Sequence, residues 1–205
     1  QKIKAKTFEL VQSKHKMTQV MIDKVFSFAE LGHQEYETSK YLSGILESQG
    51  FEIEYGISGI PTAWIARWEH GEGPVIALGS DVDGIPKASQ YPGVAYHKPM
   101  VEGAPGHGEG HNSGLPIVVT SAIAIQQQMK ENNLGGTLVI WPGIAEEQLA
   151  AKAWYVKDGY FDDVDMCIFT HVSSNMAVSW GQSTGTGLIS VEYTFEGVSA
   201  HAGGS

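Results

Sequence analysis

The amino-acid sequence predicts an α/β fold, a layered helix-sheet-helix domain built on a mostly parallel sheet. Three observations carry that prediction. Helical periodicity opens the chain, short β-prone runs bounded by Gly and Pro follow it, and helical stretches separate the later runs. Several of these runs are continuously apolar, which suits strands covered on both faces. Strands of that kind alternating with helices mark a layered α/β domain.

Within residues 7–31, Phe8, Val11, Met17, Val20, Met21, Val25, Phe26 and Ala29 fall mostly three and four apart, which predicts a first helix. After the acidic link at residues 34–37, Tyr41, Leu42, Ile45 and Leu46 line one face of a second helix, with Gly50 as its C-terminal cap. Strands are expected at residues 51–55, 63–68, 75–79, 137–141 and 166–170. A long helix is expected at residues 113–130, with Ile117, Val118, Ser121, Ile125 and Met129 inward, and another helix at 147–157. Residues 188–196 instead alternate apolar and polar after their start, the pattern of a strand with one wet face. A small-residue link at 181–187 precedes them. A first domain is therefore expected over residues 1–186 and the start of a second over 187–205.

Composition excludes several function classes. Thirteen Lys and Arg against 23 Asp and Glu leave a formal net charge of −10, which argues against nucleic acid and anionic membrane as partners. No apolar run approaches the roughly 18 residues of a membrane span, and the start lacks the apolar core of a signal peptide. Because the chain begins with Gln1, removal of an export signal and a trimmed start weigh equally, and a cytoplasmic or an exported location both stay open. The single Cys167 excludes an internal disulfide and a multi-cysteine zinc cluster.

Four places could carry chemistry. Residues 106–114 read GHGEGHNSG, in which glycines allow close backbone approach while His107, Glu109 and His111 offer nitrogen and oxygen donors suited to divalent metals. Glu109 and His111 lie two residues apart, so an extended loop turns both toward one ion. A flexible loop with solvated histidines explains the fragment equally well, whereas the spacing fails the G-x-G-x-x-G nucleotide template. Glu146 and Glu147 follow an apolar strand and precede a helix. Helix-dipole complementarity alone would account for them, yet ligands of open α/β sheets bind at such strand ends. Asp81 and Asp83 follow another strand, where an Asx turn is the plain alternative. His171 ends a third. Three strand ends and a His/Glu glycine loop on one sheet edge together indicate a metal-activated hydrolytic site.

At these residues the chain resembles metallopeptidase family 20, the aminoacylase and amidohydrolase enzymes, particularly the branch of the aminobenzoyl-glutamate hydrolase subunit and the N-acyl amino acid amidohydrolases. The resemblance rests on AELG at 29–32 with Glu35, ALGSDVDGIP at 77–86, GAPGHGEGHNSG at 103–114, AEE at 145–147 and FEGVSAHAG at 195–203. It implies two divalent metal ions, zinc or manganese and sometimes cobalt, and hydrolysis of an amide bond in N-acyl amino acids, aminobenzoyl-glutamate-like compounds or small peptides. It further implies Glu109 as the bridging ligand, His111, Glu147 and His171 as terminal ligands, and Asp83 as the residue that orients a ligand. Glu146 becomes the general base and later acid toward a metal-bound hydroxide, and His201 the lid-domain group that stabilises the oxyanion. Asp81 stands where relatives outside this branch have a histidine ligand. Where the branch typically has Cys-Gly-His, this chain has Glu109-Gly110-His111, and a carboxylate favours harder ions such as manganese.

The family continues through a lid, usually a dimerisation domain, and returns to the catalytic domain for a late histidine ligand. The resemblance therefore implies a homodimer through the lid in the complete protein. It also implies that these 205 residues alone bind at most one metal well and turn over little substrate. Two alternatives accompany the enzyme reading: a catalytically incomplete binding or assembly module on the same scaffold, and a dipeptidase or deacetylase of the same family.

Overall fold

In the computed structural model, which describes residues 1–181, 189 and 191–203, the opening periodicity is realised as two helices rather than one, α1 (Lys2–Ser13) and α2 (His15–Phe28). Lys14, at φ −94° and ψ 5°, interrupts the helical run. Ala29 closes α2 in the left-handed region. Helix α3 (Tyr36–Ser48) starts beneath Glu30, whose carboxylate accepts the backbone N–H groups of Glu37 and Thr38 at 2.9 Å each. Free N–H groups at a helix start need such acceptors, and Glu35, at the cap position itself, supplies no side-chain cap bond.

Five strands form one sheet in the order β1-β2-β4-β3-β5. Strand β3 (Val75–Asp81) runs parallel to β4 (Gly136–Gly143) and to β5 (Met166–Phe169). Strands β1 (Glu52–Tyr55) and β2 (Trp64–His70) join antiparallel, so the sheet is mixed, with its parallel part at β4, β3 and β5. Connection length explains the split: parallel neighbours need a crossover of a dozen or more residues, whereas the short link from β1 to β2 permits an antiparallel pair. Helix α4 (His111–Asn132) lies within the crossover from β3 to β4, and α5 (Lys152–Lys157) within that from β4 to β5. These crossovers advance in opposite directions across the sheet, and right-handed connections then carry their helices to opposite faces. A crevice opens between the ends of β3 and β4, where open α/β sheets take ligands.

Strand β4 is buried along its whole length. Helix α4 packs on β3 and β4, α2 on α4, and α3 on β2. Leu115, Val119, Ala77, Ile140, Val25 and Leu42 contribute to the resulting core. The expectation of cover on both faces fails at β5, whose four side chains are exposed, because this edge strand has β3 as its only neighbour among the described residues. The helix expected at 147–157 is also broken. A 3-10 turn, Glu146–Gln148, precedes α5, and the positive φ values of Leu149 and Ala151 interrupt helical geometry between them.

The described residues divide into two units, Gln1–Ser174 and Asn175–Ser205. In the second, residues 191–200 lie in no helix or strand, and Val191, Tyr193 and Phe195 are exposed. A strand exists through hydrogen bonds to a neighbour, and none pairs with these residues among those described. Residues 187, 188 and 190 of the expected strand lie outside the described residues. Among the described residues no helix is long and apolar enough to cross a membrane.

Candidate metal centre

The end of β3 delivers Asp81, Val82 and Asp83, all buried. Beside it, β4 ends at Gly143, where a Cβ would overlap the Asp81 carboxylate, so the close approach of the two strand ends requires glycine. Ser80 donates its hydroxyl to the Thr170 carbonyl at 2.7 Å, which fixes the end of β5 and, one residue on, His171. The glycine loop turns at Gly110, φ 76°, and delivers His111 as the first residue of α4. Gly114 keeps this helix start against β3, since a Cβ there would overlap Ser80.

His111 is the hub, 3% exposed. Its Nδ1 lies 3.1 Å from the Asp83 carbonyl oxygen and 3.4 Å from Asp83 Oδ1. A proton on Nδ1 satisfies these acceptors and leaves Nε2 as the available donor atom, the usual arrangement behind a metal-binding imidazole. That Nε2 lies 3.1 Å from His171 Nε2, 3.8 Å from Glu109 Oε2 and 4.0 Å from Glu146 Oε2. Glu147 Oε1 is 3.8 Å from the other ring nitrogen. Within each of two groups, Glu109/His111/Glu147 and Asp81/His111/His171, one donor atom per residue falls within 4.8 Å of the others.

The donor set fits a divalent ion of zinc or manganese character: imidazole nitrogens and carboxylate oxygens converge, and thiolate is absent from it. Asp83 Oδ1 is buried without a hydrogen-bond partner, which marks unbalanced negative character at the same point. Electrostatics agree. Burial alone would lower the pKa of His111, but the hydrogen bond to Asp83 and the charges of Asp81 and Asp83 outweigh it and push the imidazole up to about 9. Burial raises Glu147 above the ordinary glutamate value, and the nearby Glu109 adds to the rise. A divalent cation would relieve these repulsions.

Each expected site residue thus has a place. Glu109, His111, Glu146, Glu147 and His171 meet in one cluster, and Asp83 backs it: its Oδ2 also accepts the Glu147 backbone N–H at 3.0 Å. Asp81 is held elsewhere, since its Oδ1 pairs with Lys152 Nζ at 2.9 Å. Burial raises its pKa even so, against the opposing pull of Lys152. His107 turns away, its Nε2 3.0 Å from the Val25 carbonyl oxygen, and burial lowers its pKa. His201 belongs to the second unit, where its Nδ1 accepts the Gly203 N–H at 3.0 Å. Sequence reasoning missed Lys152, whose partner lies 71 residues away. It also left Glu35 without a task, although Glu35 is fully buried and reaches this site's edge.

No family model matches the chain. It is 31% identical over 183 residues to a p-aminobenzoyl-glutamate hydrolase of Escherichia coli, covering 89% of this chain and 37% of that protein. It is 27% identical over 182 residues to N-acetyl-L-cysteine deacetylase of Bacillus subtilis, covering 85% of this chain and 42% of that protein. The chain thus spans less than half the length of these curated relatives. Among solved structures, the YXEP protein of Bacillus subtilis, described as a dinuclear metal binding peptidase from the M20 family, superposes with a TM-score of 0.65 at 25% identity, over 82% of this chain and 45% of that one.

Proposed function

Since the chain belongs to the M20 family of metallopeptidases and amidohydrolases, we propose that it carries the metal site of a hydrolase that cleaves an amide bond in N-acyl amino acids, aminobenzoyl-glutamate-like compounds or small peptides. One observation carries this reading: the Nε2 atoms of His111 and His171 and the carboxylates of Glu109 and Glu147 converge, with Glu146 at their edge. These four would hold two divalent ions, zinc or manganese, with Glu109 placed to reach both imidazoles at 3.8 Å each. When bound, such ions polarise an amide carbonyl and acidify water.

The remaining chemistry belongs to the chain. Asp83 holds the proton of His111 on Nδ1, so Nε2 faces the shared space. Glu146, with a side chain 26% exposed, sits where it can accept the proton of an attacking water. It then gives that proton to the leaving amine nitrogen, and the carboxylate is restored. We assign residues 1–186 to the catalytic domain and 187–205 to the start of a lid and dimerisation domain. His201 of that lid would donate to the oxyanion, and a homodimer would form through it.

The test is Glu146→Gln in the protein that carries this sequence, assayed on N-acyl amino acids and p-aminobenzoyl-glutamate with manganese or zinc. Metal content should match wild type while turnover falls by about 10²- to 10⁴-fold. Unchanged turnover would overturn the assignment.

A further inference from the structure

Glu35 is fully buried and carries no helix-capping bond, because Glu30 caps α3 in its place. Its carboxylate points instead to the turn that bears the two glutamates. Oε1 accepts the Ala145 backbone N–H at 2.8 Å, and Oε2 accepts the Thr62 hydroxyl at 2.9 Å. Ala145 has φ 51° and ψ 41°, a left-handed conformation that a side chain rarely adopts unless its surroundings impose it. A second contact comes from the same segment. Gly32 lies against the turn so closely that a Cβ there would stand 3.0 Å from Ala145 Cα and 2.8 Å from Gln148 Nε2. Gln148 in turn donates to the Gly32 carbonyl at 3.3 Å.

We infer that Glu35 is a positioning residue: its buried carboxylate locks Ala145, and so sets where Glu146 and Glu147 stand relative to His111. The inference rests on the proposed roles of Glu146 and Glu147. Asp83 grips the Glu147 N–H from the β3 side, and Glu35 grips the turn two residues earlier from the α3 side. Supports of this kind around metal ligands set affinity without touching the ion.

The experiment is zinc titration by calorimetry, with the visible spectrum of the cobalt(II) form and thermal unfolding of the metal-free chain recorded for each variant. Glu35→Ala should weaken zinc binding by about 10- to 100-fold and alter the cobalt spectrum. Glu35→Gln keeps an acceptor for Ala145 and a donor for the Thr62 oxygen, so it should stay within about threefold of wild type. A folded Glu35→Ala with wild-type affinity and spectrum overturns the inference. Should Glu35→Ala fail to fold, Gly32→Ala, which presses on the same turn, decides: weakened zinc supports the inference and unchanged zinc overturns it. Glu147→Ala separates the two levels. If it leaves zinc binding unchanged, the ligand assignment itself fails; if it weakens binding while Glu35→Ala does not, only the positioning role fails.

Discussion

Glu147 and Glu109 face the same imidazole from opposite surroundings. Glu147 rides on a turn tied to Asp83 and Glu35, and its side chain is 22% exposed. Glu109 sits in the glycine loop with a side chain 53% exposed, and among the described residues its carboxylate makes only the 3.8 Å approaches to His111 and His171. His171, too, is partly open at 39%. The fold therefore preorganises one half of the donor set and leaves the other to be ordered by what binds. Preorganised groups lose less entropy on binding, so the two halves should hold ions with unequal strength.

The largest expected effect follows from removing each carboxylate in turn. Glu147→Ala should weaken the first equivalent of zinc by more than the roughly 10- to 100-fold typical of a supporting group. Glu109→Ala should weaken that equivalent by about tenfold at most and abolish the second. Calorimetric stoichiometry reads both. Equal losses would erase the contrast between a braced and an open half.

The Lys152–Asp81 pair tests the floor of the braced half. Asp81 is 1% exposed in its side chain and Lys152 37%. Removing one partner of a buried pair leaves an uncompensated charge, which costs about 3–5 kcal/mol when both are fully buried. With Lys152 partly solvated, Lys152→Met should cost about 2 kcal/mol, measured by denaturant unfolding without metal. Lys152→Met combined with Asp81→Asn should regain most of the loss. A single variant as stable as wild type would show that the pair supports nothing.

The residues legible in the sequence are those that sit at ends of apolar strands. Asp83, Glu146, Glu147 and His171 each follow a run whose hydrophobicity declares a buried strand, and the glycine loop declares Glu109 and His111. What brings them together was not legible from the residues alone, because the partners are remote: Glu35 and Ala145 are 110 residues apart, Asp81 and Lys152 71. Lys152 had no neighbour in sequence to mark it. The same blindness to distance explains β5. Met166, Ile168 and Phe169 read as interior, yet whether a strand lies at the centre or the edge of a sheet is a tertiary property. Lys14 breaks the first helix although it is neither glycine nor proline, and periodicity carried the prediction across it.

A milder way to sharpen the contrast is Glu109→Cys. The open half has a carboxylate where a softer thiolate would favour zinc over manganese. The substitution should move the zinc-to-manganese affinity ratio upward by about tenfold in competition titrations and leave the braced half's single-ion affinity for zinc near wild type. An unchanged ratio would mean that Glu109 does not contribute a ligand.

The smallest effect concerns the proton that His111 carries when no metal is bound. Its pKa in the folded chain is about 9, above the ordinary value of 6.5 that an exposed imidazole keeps on unfolding. The folded state thus binds this proton more tightly than the unfolded state does, and by linkage the contribution is complete below about pH 6.5 and is lost as pH rises through about 9. Chelator-treated protein should melt at progressively lower temperature from pH 7 to pH 10, and His111→Ala should flatten that slope. Asp83→Asn should flatten it in part, since Asp83 supplies the hydrogen bond and a share of the charge that hold the proton, while Asp81 still acts. Melting that rises over this range would place the imidazole neutral in the metal-free fold. The acids around it would then be protonated or solvated instead, and the braced half would be less charged than its distances imply.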